Sequence, residues 1–461
     1  MAALSDQPIS PLDGRYRAAT APLSPHLSEA GLNRARVRVE VAWLVALTDA
    51  GVAGTQPLAS DERAALLRLP DEFGDDEVAE LGRLEAVTRH DVKAVEYLVR
   101  ARLDALGLGR LGELVHFAFT SEDVNNLAVA LTVRDALHGA WLPAFDLVLE
   151  RLRSLAVRWA DAPMLARTHG QPATPTTMGK ELAVFVHRLD RLRAQVLAVE
   201  ITGKANGASG DYAAHVVAAP EVDWQALTRS FVQGLGLVWN PLTTQIESHD
   251  WQVELYGRLV HVDGVLHNLC TDVWLYIALG HLKQVPQAGA TGSSTMPHKV
   301  NPIRFENAEA NLELADGVLG TLARTLVTSR WQRDLTDSTT QRNIGVGIGH
   351  ALVALDNIAR GLTEVDLDRD RLLAELEANQ EVLGEAVQTV VRAEVVAGRS
   401  TLTNPYELVK ELTRGRRVDA AAMREFVAGL GLDDAAAERL GSLTPATYTG
   451  LAERLVEHVR R

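Results

Sequence analysis

The chain has 461 residues, 47% of them hydrophobic, 23% charged and 5% aromatic, enough apolar surface for a large core and, at roughly 100–200 residues per domain, for two to four domains. Lys and Arg number 46 against 60 Asp and Glu, a net charge of −14 that repels phosphate backbones and anionic lipid and argues against nucleic-acid or membrane-surface binding. A single cysteine, Cys270, excludes an internal disulfide, the first residues lack a signal peptide's basic leader and apolar core, and no apolar run reaches the about 18 residues that span a bilayer, so a reducing, cytoplasmic compartment is expected.

Ala and Leu dominate and long period-two runs are scarce, which predicts an all-α chain. An N-terminal helical domain is expected over residues 1–111, opening with DGRY (Asp13 to Tyr16). A long-helix domain is expected over 112–363. There Leu142, Phe145, Leu149, Leu152, Ala156 and Trp159 step by 3, 4, 3, 4, 3, as do Leu182, Phe185, Leu189, Leu192, Val196 and Val199. A third series, Leu255, Leu259, Val262, Leu266, Leu269, Val273 and Ile277, steps by 4, 3, 4, 3, 4, 4. Such stripes suit helices that bury one seam against long neighbours in a bundle. Between them, RTHGQPATPTT (Arg167 to Thr177), GKANGASGD (Gly203 to Asp211) and QAGATGSSTMPHKVNP (Gln287 to Pro302) are dense in Pro and Gly and read as loops at bundle ends. A smaller helical domain closes the chain over 364–461.

Chemistry concentrates in those loops. GSSTMPHKVNP (Gly292 to Pro302) sets two hydroxyls, a lysine and an amide in a Gly-rich loop before the helix-like run FENAEANLELADGVL, a junction whose backbone N–H groups and Lys299 attract anions. A surface loop with incidental serines would look the same, and the P-loop spacing is absent. His169 sits among turn residues and hydrogen-bonding groups, where it could act as acid or base near neutral pH or simply be solvated. SRWQRDLTDSTTQR (Ser329 to Arg342) carries Arg330, Arg333 and Arg342 among hydroxyls, and DGRY adds Arg15 and Tyr16. These arginines either grip an anionic small molecule or pair with nearby aspartates. GVGIG (Gly345 to Gly349) lacks the preceding strand of a dinucleotide loop and fits close helix packing better. No CxxC or HExxH spacing offers a metal site.

Together these segments resemble the fumarase/aspartase superfamily, whose GSSxMPxKxNP signature is matched by Ser293, Ser294, Met296, Pro297, Lys299, Asn301 and Pro302. PLDGRY, TRHD (Thr88 to Asp91), TSEDVNN (Thr120 to Asn126), THGQPATP (Thr168 to Pro175), SRWQRDLTDS and NPYELVKELTRG (Asn404 to Gly415) narrow the resemblance to the adenylosuccinate lyase family in its longer bacterial form, over nearly the whole chain. Arg89 departs from that pattern, which usually has asparagine before the His-Asp pair. The resemblance implies an all-α, three-domain fold whose central helices associate as a homotetramer with active sites shared between chains, the apolar seams then being buried between subunits. It implies elimination of fumarate from adenylosuccinate, giving AMP, and from SAICAR, giving AICAR, with no metal or cofactor.

By matching positions, the resemblance makes Ser293 the general base and His169 the general acid, with His90 as the rival acid. Lys299 and Asn301 would stabilise the aci-carboxylate, and Thr120, Ser121 and Gln245 would hold the succinyl group. Arg15, Tyr16, Arg333, Ser338 and Arg342 would bind the ribose phosphate or its neighbours, while Arg89, His90 and Asp91 line the site. Ser294, Val300, Asn307, Thr339, Thr340 and Gln341 are implied to complete the substrate contacts. Two other readings stay open. One is a fumarate-eliminating lyase with another leaving group, such as argininosuccinate; the other is a catalytically idle structural relative.

Overall fold

The computed structural model describes residues 7–285, 296, 299–413 and 418–460, the side chains of 411–413 aside. Helices carry it, as a chain rich in Ala and Leu dictates. Helix α1 spans Glu29–Asp49, α2 Asp75–Thr88, α3 Asp91–Ala105 and α4 Ser121–Ala136. The longer stretch that follows holds α5 (Leu142–Arg158), α6 (Met178–Leu197), α7 (Asp250–Leu279), α8 (Ile303–Leu326) and α9 (Ile344–Gly361). Helix α10 (Arg369–Glu377) opens the C-terminal part. Caps set several of these starts: the Ser28 hydroxyl accepts from Gly31 N at 3.0 Å before α1, and the Asp368 carboxylate accepts from Arg371 N at 3.0 Å before α10.

Packing divides the chain into two compact units. One comprises residues 1–145, 192–264 and 310–356, the other 146–191, 265–309 and 357–461. In the first, Trp43 of α1 stacks on Phe119 at 4.4 Å between ring centres and meets Phe231 at 5.0 Å. Glycines of the GVGIG run let α9 approach its neighbours: a Cβ at Gly347 would lie 2.9 Å from Leu319, and one at Gly349 3.1 Å from Leu12. Close helix packing is therefore the reason for that motif. In the second unit, Leu383, Val387 and Val391 pack with Met423, Val427 and Leu440 as a separate apolar cluster.

The three stripes read from the sequence lie on α5, α6 and α7, apart from Trp159 and Val199, which fall just past the ends of α5 and α6. Phe145, Leu149, Leu152, Ala156, Leu189, Leu255, Leu259, Val262, Leu266, Leu269 and Val273 are buried. They are buried within a single chain, which corrects the expectation that these seams lie between subunits. A 3–4 spacing reports that a face is covered, not which chain covers it. Apolar side chains left exposed on the long helices are others, among them Trp274, Leu275 and Leu314.

The stretch Arg167 to Thr177 is also corrected, from loop to hairpin. Strand β1 (Pro163–Thr168) pairs antiparallel with β2 (Gln171–Thr177), Thr168 opposite Gln171. Its prolines fit because each strand of a two-stranded hairpin keeps an open edge needing no N–H donor. The GKANGASGD segment begins instead with a short parallel pairing of Thr202–Gly203 with Val238–Trp239 and then turns inward, Lys204 having no solvent exposure.

Candidate active site

Most of the described candidates belong to the first unit. The Thr120–Ser121 junction opens α4, and Asp123 at its third position anchors it. That carboxylate accepts from Thr120 N at 2.8 Å, Asn206 N at 3.0 Å and Gly207 N at 3.2 Å, and pairs with the Lys204 ammonium at 2.9 Å. Asn126 seals the same loop, accepting from Lys204 N at 2.9 Å and donating to Lys204 O at 3.0 Å. So a buried charge pair and a set of loop amides fix the start of α4. Gln245 donates to Ala208 O of that loop at 3.0 Å.

Beside Ser121, Glu122 is 4% exposed and pairs with Arg333 at 2.8 Å. Its carboxylate also accepts from Asn125 at 3.2 Å, and Asn125 in turn accepts from Arg36 Nε at 3.0 Å. Arg36 reaches on to Asp91 at 2.8 Å. Burial pushes the Asp91 carboxyl up, but Arg36, the Val92 N–H and Arg342 outweigh it and hold it below the ordinary carboxylate range. Arg342 stands 3.6 Å from Asp91 and 2.9 Å from Glu29. A pocket of about 110 Å³ is lined by Arg36, Glu122, Asn125, Ser338, Gln341 and Arg342. Arg342 also lines a wider cleft of about 740 Å³ together with Leu12, Asp13, Arg17 and Thr20.

Thus Asp91, Arg333, Ser338, Gln341 and Arg342, from segments far apart in sequence, are brought into one connected wall. Thr339 is exposed on the short helix Thr336–Gln341, and Thr340 returns its hydroxyl to Thr336 O at 2.7 Å. Arg15 is exposed and Tyr16 half-buried in the DGRY turn, where Tyr16 N bonds to Pro11 O at 2.8 Å; Arg17, one residue on, is the arginine of that segment lining the cleft with Arg342. Arg89 ends α2 in the left-handed region at φ 53°. His90 follows as the N-cap of α3, its Nδ1 accepting from Lys93 N at 3.2 Å. Nε2 of the neutral ring must then carry the proton.

The second unit holds His169, Lys299, Val300, Asn301 and Asn307. His169 and Gly170 are the two turn residues of the β1–β2 hairpin, both left-handed at φ 55° and 75°, and His169 is exposed. Two successive positive φ values match the right-handed twist of the flanking strands. Lys299 and Val300 are exposed, Val300 O accepting from Gln284 at 2.7 Å. Asn301 and Pro302 lead into α8, whose first turn bonds back through Phe305 N to Pro302 O at 3.1 Å. Asn307 lies on the second turn. Ser293 and Ser294 lie outside the described residues.

Sequence reading missed Arg36, Glu122 and Asn125, which tie the wall together, and Lys204 and Asp123 behind it. The available signal was charge on an apolar stripe. Arg36 lies on α1 in line with Val39, Trp43 and Leu47, all buried, and a charge among such residues needs a partner.

The lyase family's sequence model matches residues 14–315, and the adenylosuccinate lyase C-terminal model matches residues 329–449. The chain is 46% identical over 454 residues to the adenylosuccinate lyase of Escherichia coli (strain K12), covering 98% of each. It is 46% identical over 452 residues to that of Vibrio cholerae, with 97% of this chain and 98% of the relative covered. Among solved structures, the 3-carboxy-cis,cis-muconate lactonizing enzyme from Pseudomonas putida matches with a TM-score of 0.72 at 23% identity over 95% of each chain. Fumarate lyase from Mesorhizobium sp. BNC1 matches with a TM-score of 0.72 at 21% identity over 95% of this chain and 96% of that one. These two likenesses establish an all-α, multi-domain fold.

Proposed function

Because this chain belongs to the adenylosuccinate lyase family of carbon–nitrogen lyases, we propose that it eliminates fumarate from adenylosuccinate to give AMP, and from SAICAR to give AICAR, in purine nucleotide synthesis. The match along the full length of curated relatives carries this reading. The geometry supports it. The pair of Arg342 with Glu29 is an exposed surface pair, weakly stabilising and easily exchanged, so a phosphate offering bidentate acceptors can displace Glu29.

Both substrates need a weakly acidic proton taken from the carbon beside a carboxylate and a nitrogen leaving group protonated. In this reading Ser293 takes the proton, Lys299 and Asn301 stabilise the charge gathering on the carboxylate, and His169 delivers a proton to the leaving nitrogen as the C–N bond breaks. Thr120, Ser121 and Gln245 hold the succinyl group. Arg15, Tyr16, Arg333, Ser338 and Arg342 take the phosphate and ribose, while Arg89, His90 and Asp91 line the site. Ser294, Val300, Asn307, Thr339, Thr340 and Gln341 complete the contacts. A second reading has His90 as the acid, favoured by the N-cap bond that leaves the proton of this half-exposed side chain on Nε2.

Three further parts belong to the same proposal. The chain is organised as domains 1–111, 112–363 and 364–461. It assembles as a homotetramer with shared sites, for which exposed Trp274, Leu275 and Leu314 offer apolar surface. It works in the cytoplasm, where nucleotide substrates are made. Fumarate release assayed with adenylosuccinate, SAICAR and argininosuccinate tests the reaction. Turnover of the first two alone is expected; turnover of argininosuccinate alone, or of none, overturns it.

A further inference from the structure

The hairpin turn that presents His169 is braced by a side chain of its own first strand, which is in turn anchored on α10. Left-handed backbone costs about 1 kcal/mol for a residue with a Cβ, so the His169 conformation at φ 55° persists only if its surroundings impose it. Strand pairing on either side sets the turn, and Arg167 reinforces it. The strand register slips between Leu165 and Arg167, an irregularity of the kind that re-aims a side chain. Its guanidinium lies across the turn, Nη1 donating to Gly170 O at 3.3 Å while Nη2 pairs with Glu375 Oε1 of α10.

Glu375 is itself fixed from the other side. Its second oxygen accepts from His281 Nε2 at 2.8 Å. His281 is 1% exposed, and its Nδ1 finds no hydrogen-bond partner among the described residues. Burial lowers the affinity of this imidazole for a second proton against the opposing pull of Glu375, so the ring is neutral with its proton on Nε2, as a donor to the carboxylate. His281 O also accepts from Asp368 N at 2.9 Å, tying the start of α10 to the same residue. The result is a continuous chain, from His281 through Glu375 and Arg167 to Gly170, that ends on the carbonyl of the residue after His169.

We propose that Glu375 is a positioning residue for the reaction, clamping Arg167 so that the His169–Gly170 turn holds the imidazole in place. This rests on the reading of His169 as the group that protonates the leaving nitrogen. Glu375→Gln keeps an oxygen for His281 and removes the charge that grips Arg167; Arg167→Met breaks the same link from its exposed end. Each is expected to lower kcat about 10–100-fold, since a misplacement of roughly 1 Å costs up to about a hundredfold, while KM changes less than about twofold and the melting temperature stays within about 2 °C.

A structural role alone would not meet a second requirement. Introduced into His169→Ala, Glu375→Gln should leave the residual rate unchanged, because there is no imidazole left to position. A full further loss in that background overturns the inference, as does wild-type kcat in both single variants while His169→Ala is inactive; in that case the role of His169 stands. If His169→Ala itself turns over normally, the reading of His169 falls and this inference falls with it.

Discussion

Replacing Lys204 with methionine keeps the bulk of the side chain and deletes its charge. Lys204 and Asp123 are 2.9 Å apart, neither with any solvent exposure. In the variant, Asp123 still accepts from the Thr120, Asn206 and Gly207 N–H groups, but its charge has lost its counter-ion. Removing one partner of a buried pair costs about 3–5 kcal/mol. At about 2.1 cal/mol/K per residue, the unfolding entropy of a 461-residue chain is about 1 kcal/mol/K, so Tm should fall by about 3–5 °C. The exposed pair of Arg63 and Asp49, 2.8 Å apart with side chains 43% and 40% exposed, is the control. Arg63→Ala should cost at most about 1 kcal/mol, or about 1 °C. Scanning calorimetry at one scan rate measures both, and fumarate release should show a raised KM in Lys204→Met as the start of α4 loosens. If Lys204→Met melts no lower than Arg63→Ala, the buried pair does not anchor this region and the account of Thr120 and Ser121 built on it is wrong.

Burial holds His215 at about 4, below the usual 6.5 or so. Between those values the unfolded chain takes up a proton that the folded one refuses, so stability falls as the pH is lowered through that window, by about 1.4 kcal/mol per unit. His215→Phe, which keeps the ring against Trp224, should flatten that slope in melting experiments, and parallel wild-type and variant curves would count against it. Ser293→Ala and His169→Ala should each lose at least about a hundredfold in kcat, the scale of a positioned acid or base; near-normal turnover in either moves the role to Ser294 or His90. Adenylosuccinate lacking its phosphate should lose much of its specificity constant, at about 1.5–3 kcal/mol per charge-assisted contact, and equal constants would remove the phosphate role from the arginines. Hybrids reassembled from the Ser293→Ala and His169→Ala proteins should regain activity if the protein is the proposed tetramer with shared sites. Background activity in hybrids confirmed by mass spectrometry would show that each site comes from one chain.

Legibility in the sequence followed the range of the interaction. The stripe from Leu255 to Val273 was readable because helical spacing is a property of one segment, and α7 follows it. The hairpin was not, because Pro172 and Pro175 resemble loop residues until they are seen opposite Arg167 and Leu165, and because a His-Gly pair is not the Asn-Gly or Asp-Gly signal by which such turns are recognised. The wall around Asp91 and Arg342 was legible as a set of arginines and hydroxyls, but not as a connected structure. Its links span 55 residues from Arg36 to Asp91 and 89 from Arg36 to Asn125, distances over which local pattern carries nothing. What does carry is misplacement. Arg36 and Glu40, one turn apart on α1, are 3% and 1% exposed, and their partners are Asp91 and His116, the latter 2.6 Å from Glu40. Two opposite charges on the apolar face of a helix cannot be buried without company. They already require that acidic and basic groups from elsewhere in the chain meet α1, and at α1 those groups include a residue of the proposed site.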